Sequence, residues 1–163
     1  MNESIATTGW MPRLWRAFGL DFPMGRRQPA VGRTIVATVV ALVGSIAACA
    51  VLAWLGPIVF PRTAGYEHYG FADYAKLTTI GVLIACAAWP LVTMVTTRAA
   101  RLYFWLAVIV TVGSFVPDLW LLVRGDDAEA VLVLAVMHVA LAVVTYPAMV
   151  LIAPQRSGST RAA

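Results

Sequence analysis

The chain has 163 residues, is 61% hydrophobic and only 12% charged, and has a mean hydropathy of +0.81. A water-soluble domain of this size cannot hide so much apolar surface, so lipid is the expected solvent. The net charge of +4 is distributed as a membrane-topology signal, which argues against nucleic-acid binding.

Residues 1–33 form a basic leader. Trp10, Leu14 and Phe18 repeat at helical spacing, with Met11 and Trp15 beside them and Arg13 and Arg16 elsewhere on the wheel. That pattern suits a short helix lying in the inner interface; a disordered tail is the alternative. Pro23, Gly25 and Pro29 break any helix before the first apolar run. Four apolar runs follow, at 34–55, 77–97, 102–123 and 130–153. Each has about the 20 residues that cross a bilayer core of roughly 30 Å. Backbone amides in hydrocarbon find no water, so each run is predicted helical. The predicted fold is an all-α, transmembrane four-helix bundle at 34–153, with a polar tail at 154–163.

Arginine sets the expected orientation. Arg13, Arg16, Arg26, Arg27 and Arg33 precede span one, Arg98 and Arg101 join spans two and three, and Arg156 and Arg161 follow span four. The opposite side holds Arg62, Lys76 and Arg124 among the acids Glu67, Asp73, Asp126, Asp127 and Glu129. Positive residues stay cytoplasmic, so both termini are expected inside a cell membrane, with the basic face on anionic lipid.

Within span one, Ile46-Ala47-Ala48-Cys49 resembles a lipidation box, but the apolar run continues through Val51, Leu52, Trp54 and Leu55, which argues against cleavage. Ala37, Ala41, Ser45, Cys49 and Ala53, spaced by four, form a ridge of small residues. Such a ridge lets helices approach closely in lipid, against another span or a second copy of the chain. The cysteines, Cys49 and Cys86, form no C-x-x-C motif, and the alternatives are small packing residues or an intramembrane pair.

The 57–76 connector carries Phe60, Tyr66, His68, Tyr69, Phe71 and Tyr74, either an aromatic belt at headgroup depth or a lid over an outward-facing pocket. Arg98 to Arg101 is a tight inner turn. Arg124-Gly125-Asp126 is a tight outer turn, and Asp126 with Glu129 fits a capping box opening span four.

Polar residues inside the spans are the candidate site. Thr111, Ser114 and Asp118 share one face of span three, and Asp118 is the one acid well inside an apolar run. A carboxylate in hydrocarbon costs about 2.5–3.5 kcal/mol, so it is expected to face the bundle interior. Pro117 beside it frees the carbonyl of Gly113, as Pro90 frees that of Cys86 and Pro147 that of Val143. His138 of span four lies near mid-membrane and shares a face with Ala135, Ala142 and Thr145. The expected vertical offset between Asp118 and His138 is roughly 4–6 Å, close enough for a hydrogen-bonded or near-neighbour pair. Span two adds Thr79, Cys86 and Thr93 as a third polar face. Three readings compete: a structural cluster in which Asp118, Ser114 and His138 satisfy one another; a proton- or ligand-handling site; and a metal or haem site. The last is thin with one intramembrane histidine, so no metal and no cofactor is expected. Hydrolase chemistry lacks a G-x-S-x-G element.

Trp89 in span two, the Arg98–Arg101 turn, Tyr103-Phe104-Trp105 opening span three, and Met137-His138-Val139-Ala140-Leu141 before Pro147 form a pattern over residues 75–153. It resembles a family of small, uncharacterised four-span bacterial membrane proteins with a Met-His pair in the last helix. The resemblance implies a fold and a topology but no chemistry, and Asp118 is not among the residues it carries over. Small multidrug exporters also have four spans, but they carry an acid in the first helix and span one here has none.

The first expectation is a non-enzymatic accessory or assembly subunit acting through a membrane-protein partner or a second copy of itself. The rival is a small carrier or sensor that binds a proton or an apolar ligand between spans three and four through Asp118 and His138. An enzyme on a lipid or quinone-like substrate comes third.

Overall fold

Only a helix satisfies its own backbone where water is missing, and all four apolar runs adopt it. The computed structural model describes Leu20 and residues 27–156. Helix α1 spans Val31–Val59, α2 Phe71–Val95, α3 Ala99–Arg124 and α4 Ala128–Pro147, which runs on into a π-helical turn over Ala148–Ile152. Short 3-10 turns, Pro61–Thr63 and Glu67–Tyr69, shape the first connector. No strand occurs among the described residues; one isolated antiparallel bridge joins Leu20 to Thr96. The architecture is an all-α four-helix bundle. The leader helix expected around Trp10, Leu14 and Phe18 lies outside the described residues.

All four helices are long and apolar enough to cross a membrane. At most a third of each helix's most apolar window is buried in the bundle, and in α3 only 6%. The remaining apolar side chains face outward, which only lipid tolerates on this scale. Exposed Trp54 and Trp120 lie near the connector end of the bundle and exposed Trp105 near the other, as expected of rings at two membrane–water interfaces.

Helix limits differ from the sequence reading at several points. Helix α1 begins at Val31 and runs through Pro57, whose missing N–H does not end it. The first connector is shorter than 57–76, because Phe71-Ala72-Asp73-Tyr74-Ala75-Lys76 adds helical turns to α2 beyond its apolar run. Gly125, at φ +98°, ends α3 in a Schellman motif: Gly125 N–H donates to the Leu122 carbonyl and Asp126 N–H to that of Leu121. The α4 cap is Asp127, which accepts from the Glu129 N–H at 2.8 Å, and not Asp126. The Schellman turn places Asp126 too early in the chain to cap α4. Its carboxylate instead accepts from Tyr66 Oη at 2.6 Å.

The ridge of α1 is used within the chain. Ala37, Ala41, Ser45 and Cys49 are buried and Ala53 partly so. Ser45 and Thr145 of α4 share a hydroxyl hydrogen bond of 3.4 Å, and Cys49 Sγ lies 3.5 Å from Thr78 Oγ1 of α2. At Gly44 a Cβ would sit 2.9 Å from Val144 Cγ1, so glycine sets the approach of α1 to α4.

The segments that flank the bundle meet near the α2–α3 turn, where Arg156 N–H donates to the Arg27 carbonyl at 3.0 Å. Pro147 brings no N–H to Val143, and the wider π turn follows at once. Side chains collect the carbonyls this turn releases: Trp89 Nε1 donates to Ala153 at 2.7 Å and Arg33 Nε to Ile152 at 2.6 Å. Gln155 then reaches across, donating to the carbonyls of Thr93 and Thr96 and accepting from the Ala99 N–H. Trp89 and Tyr103 meet edge-on at 5.0 Å, and Tyr103 Oη donates to the Ala85 carbonyl. These bonds pin α2 to α3 at the terminal end of the bundle.

Candidate ligand site in the bundle

Beyond the Trp89–Tyr103 contact, toward the connector, α2 and α3 part around a cavity backed by α4, with exposed Leu77, Ile84, Val110 and Trp120 along its open side. Its volume is about 660 Å³, within the range of small-molecule sites, and its lining is predominantly apolar. Val82, Ala85 and Ala88 of α2, Leu106 and Ala107 of α3, and Leu141 of α4 form much of the wall.

Asp118 and His138 stand on this wall, with Nδ1 of His138 3.0 Å from Oδ2 of Asp118. With the neutral Nδ1–H tautomer, or with imidazolium, the ring donates and the carboxylate accepts. The Asp118 side chain is 7% exposed and that of His138 32%, so the acid is set into the wall and the imidazole faces the open space. Phe115 meets the imidazole ring edge-on at 6.4 Å. Met137 also lines the cavity, from the core cluster it forms with Cys49 and Val133.

The structure brings Asp118 and His138 together and leaves the rest of the expected polar cluster outside their bond. Ser114 Oγ donates to the Thr111 carbonyl of its own helix at 2.7 Å, so it is no partner of Asp118 or His138. Such a bond one turn back is always within a serine's reach, and no alternation in sequence reveals it. Ser114 and Thr111 still line the cavity. On α2, Thr78 rather than Thr79 is the buried polar residue nearest the site; Thr79 is half-exposed. Cys86 and Thr93 are buried as the sequence suggested, and both cysteines are free thiols. Thr78 touches Cys49 and lies eight positions before Cys86, which separates the two sulfurs by about 12 Å of helix.

The connector reaches the cavity through His68, which other connector side chains hold in place. Tyr66 packs edge-on against His68 at 5.3 Å and Tyr69 at 5.2 Å, and Tyr69 Oη donates to the Ala130 carbonyl. Burial raises the Tyr66 phenol above its ordinary value, and its bond to the Asp126 carboxylate raises it further. Burial also raises Tyr69. At the mouth, His68 Nδ1 approaches Asp73 Oδ2 at 3.8 Å, and both line the cavity. The sequence gives His68 no chemistry of its own; its approach to Asp73 arises because α2 begins at Phe71, just after the 3-10 turn that holds His68. No group of three or more potential metal ligands occurs among the described residues.

A family model covers residues 24–154, and the chain belongs to that family, a family of unknown function designated DUF6069. No curated protein and no solved structure matches the chain. The protein is a multi-pass membrane protein of this uncharacterised family.

Proposed function

We propose that this protein binds a small, largely apolar ligand in the α2–α3–α4 cavity, as a carrier or sensor in the cell membrane with both termini cytoplasmic. The observation that carries the reading is a buried carboxylate–imidazole pair on the wall of an otherwise apolar cavity of about 660 Å³. An ion pair kept only for packing is better placed where side chains close over it. Here the imidazole is left facing space that a ligand can fill. The alternative, an accessory subunit acting through partners, drew on the α1 ridge. That ridge lies against α4 and α2 of the same chain and lends the alternative no support.

The test is binding of an environment-sensitive apolar dye to the purified protein in mild detergent. Ala107→Phe puts a ring into the cavity and should weaken binding about tenfold, roughly 1.4 kcal/mol. Val112→Phe, on the exposed outer face of α3, should leave it unchanged. Equal affinities for the two variants would sink the proposal.

A further inference from the structure

The charges on the cavity wall define the charge of its occupant, an inference that rests on the cavity being a ligand site. We propose that the occupant is a monovalent lipophilic cation, an amine or onium group on an apolar body, with Asp118 as its counter-ion.

Two carboxylates line the cavity, Asp73 at the mouth and Asp118 deep inside, and no lysine or arginine does among the described residues. Asp118 is 5% exposed as a residue, and its bond to His138 engages Oδ2 alone. Oδ1 has no hydrogen-bond partner among the described residues, yet no buried polar side-chain atom is left unsatisfied. Oδ1 therefore keeps accessible surface, and since Asp118 lines the cavity this oxygen is the acceptor open to a ligand. An anionic head group would meet that oxygen with no fixed positive charge to answer it. A neutral ligand gains only a hydrogen bond. A cation gains charge pairing in surroundings of low dielectric, where pairing is strongest.

The remaining titratable groups agree in sign. Helix α1 contributes Cys49, α2 contributes Tyr74, α3 contributes Tyr103 and α4 contributes Tyr146, all neutral or anionic. The tyrosine faces, with that of Trp120, can also receive a cation. Both histidines of the chain line the cavity, each beside one aspartate. A protonated imidazole competes with a ligand cation for the same carboxylate, and protonation of Asp118 removes the counter-ion. Acid therefore weakens binding whichever group takes the proton.

The experiment measures the affinities of three probes of similar bulk for the purified full-length protein at mildly alkaline pH and low salt: tetraphenylphosphonium, tetraphenylborate and uncharged triphenylphosphine oxide. The phosphonium should bind at least about tenfold more tightly than the oxide, and the borate most weakly. Asp118→Asn keeps the side-chain shape and an acceptor for His138; it should abolish the phosphonium's advantage and leave oxide binding in place. If that variant fails to fold, Asp73→Asn at the half-exposed rim should weaken the phosphonium about twofold to threefold at low salt and spare the oxide. Equal affinities for all three probes, or preference for the borate, would overturn the cation assignment while leaving the cavity a ligand site. Binding of none of the three overturns both.

Discussion

Tyr66 shows how one hydroxyl ties two loops together at the connector end of the bundle. Its phenol donates to Asp126 across 60 positions of sequence, joining the first connector to the α3–α4 turn. Burial and the carboxylate both raise its pKa in the folded state. An acid whose folded value exceeds its unfolded one stabilises the fold below the unfolded value, about 10 for tyrosine. That contribution fades as pH rises through the folded value. Docking of the connector should therefore persist to about pH 10 and loosen above it. Tyr66→Phe should flatten this dependence and cost under about 1 kcal/mol at neutral pH, since the ring is only partly buried. Protease cleavage of the connector, followed as pH is raised, checks both effects; an identical profile in the variant would contradict them.

At the scale of the helix, spacing in the sequence was informative wherever a face had a single use. The four-residue ridge of α1 is such a case: small residues recur on one side and bulky ones elsewhere, and the helix packs by the small side. Thr111, Ser114 and Asp118 likewise share the cavity face of α3. Spacing failed where the answer depended on a neighbour. Thr78 and Thr79 are neighbours of one type, and Thr78 is the one on the buried stripe with Val82, Cys86 and Trp89, where it meets Cys49. Gln155 lay in a stretch read as a plain tail, although it holds three backbone groups of the α2–α3 turn. Its role follows from the π turn after Pro147, which redirects the chain under the bundle. The closest helix approach gives the test at this scale. Gly44→Ala should destabilise the bundle by about 1–3 kcal/mol through overpacking against Val144. Val144→Ala in the same chain should recover most of that loss, because it removes the methyl group that clashes. A double variant no more stable than Gly44→Ala, measured by denaturation in mixed micelles, would show that the glycine serves another purpose.

Over the whole molecule, the charges separate along the bundle axis. Arg27, Arg33, Arg98, Arg101 and Arg156 gather at the end where the first and last described segments meet; Glu67, Asp73, Asp126, Asp127 and Glu129 gather at the connector end, where they outnumber Arg62, Lys76 and Arg124. Four antiparallel crossings put the first and last described segments on one side, a parity that the count of apolar runs made legible before any coordinates. The cavity was not legible in that count, because it arises from helices that part beyond a contact between Trp89 and Tyr103. Asp73 at the mouth also suits the proposed cation, as does the acidic excess of the connector end around it. The proposed orientation puts the basic end in the cytoplasm, by the rule that retains arginine there; a chain inserted the other way would carry all of those arginines across. Cysteine labelling in intact cells decides it. In a background lacking Cys49 and Cys86, Ala64→Cys in the exposed connector should react with a membrane-impermeant maleimide. Thr97→Cys, in the exposed α2–α3 turn, should react only after the cells are opened. The opposite pattern would invert the protein in the membrane and turn the cavity mouth, and with it the side from which a cation enters, toward the cytoplasm.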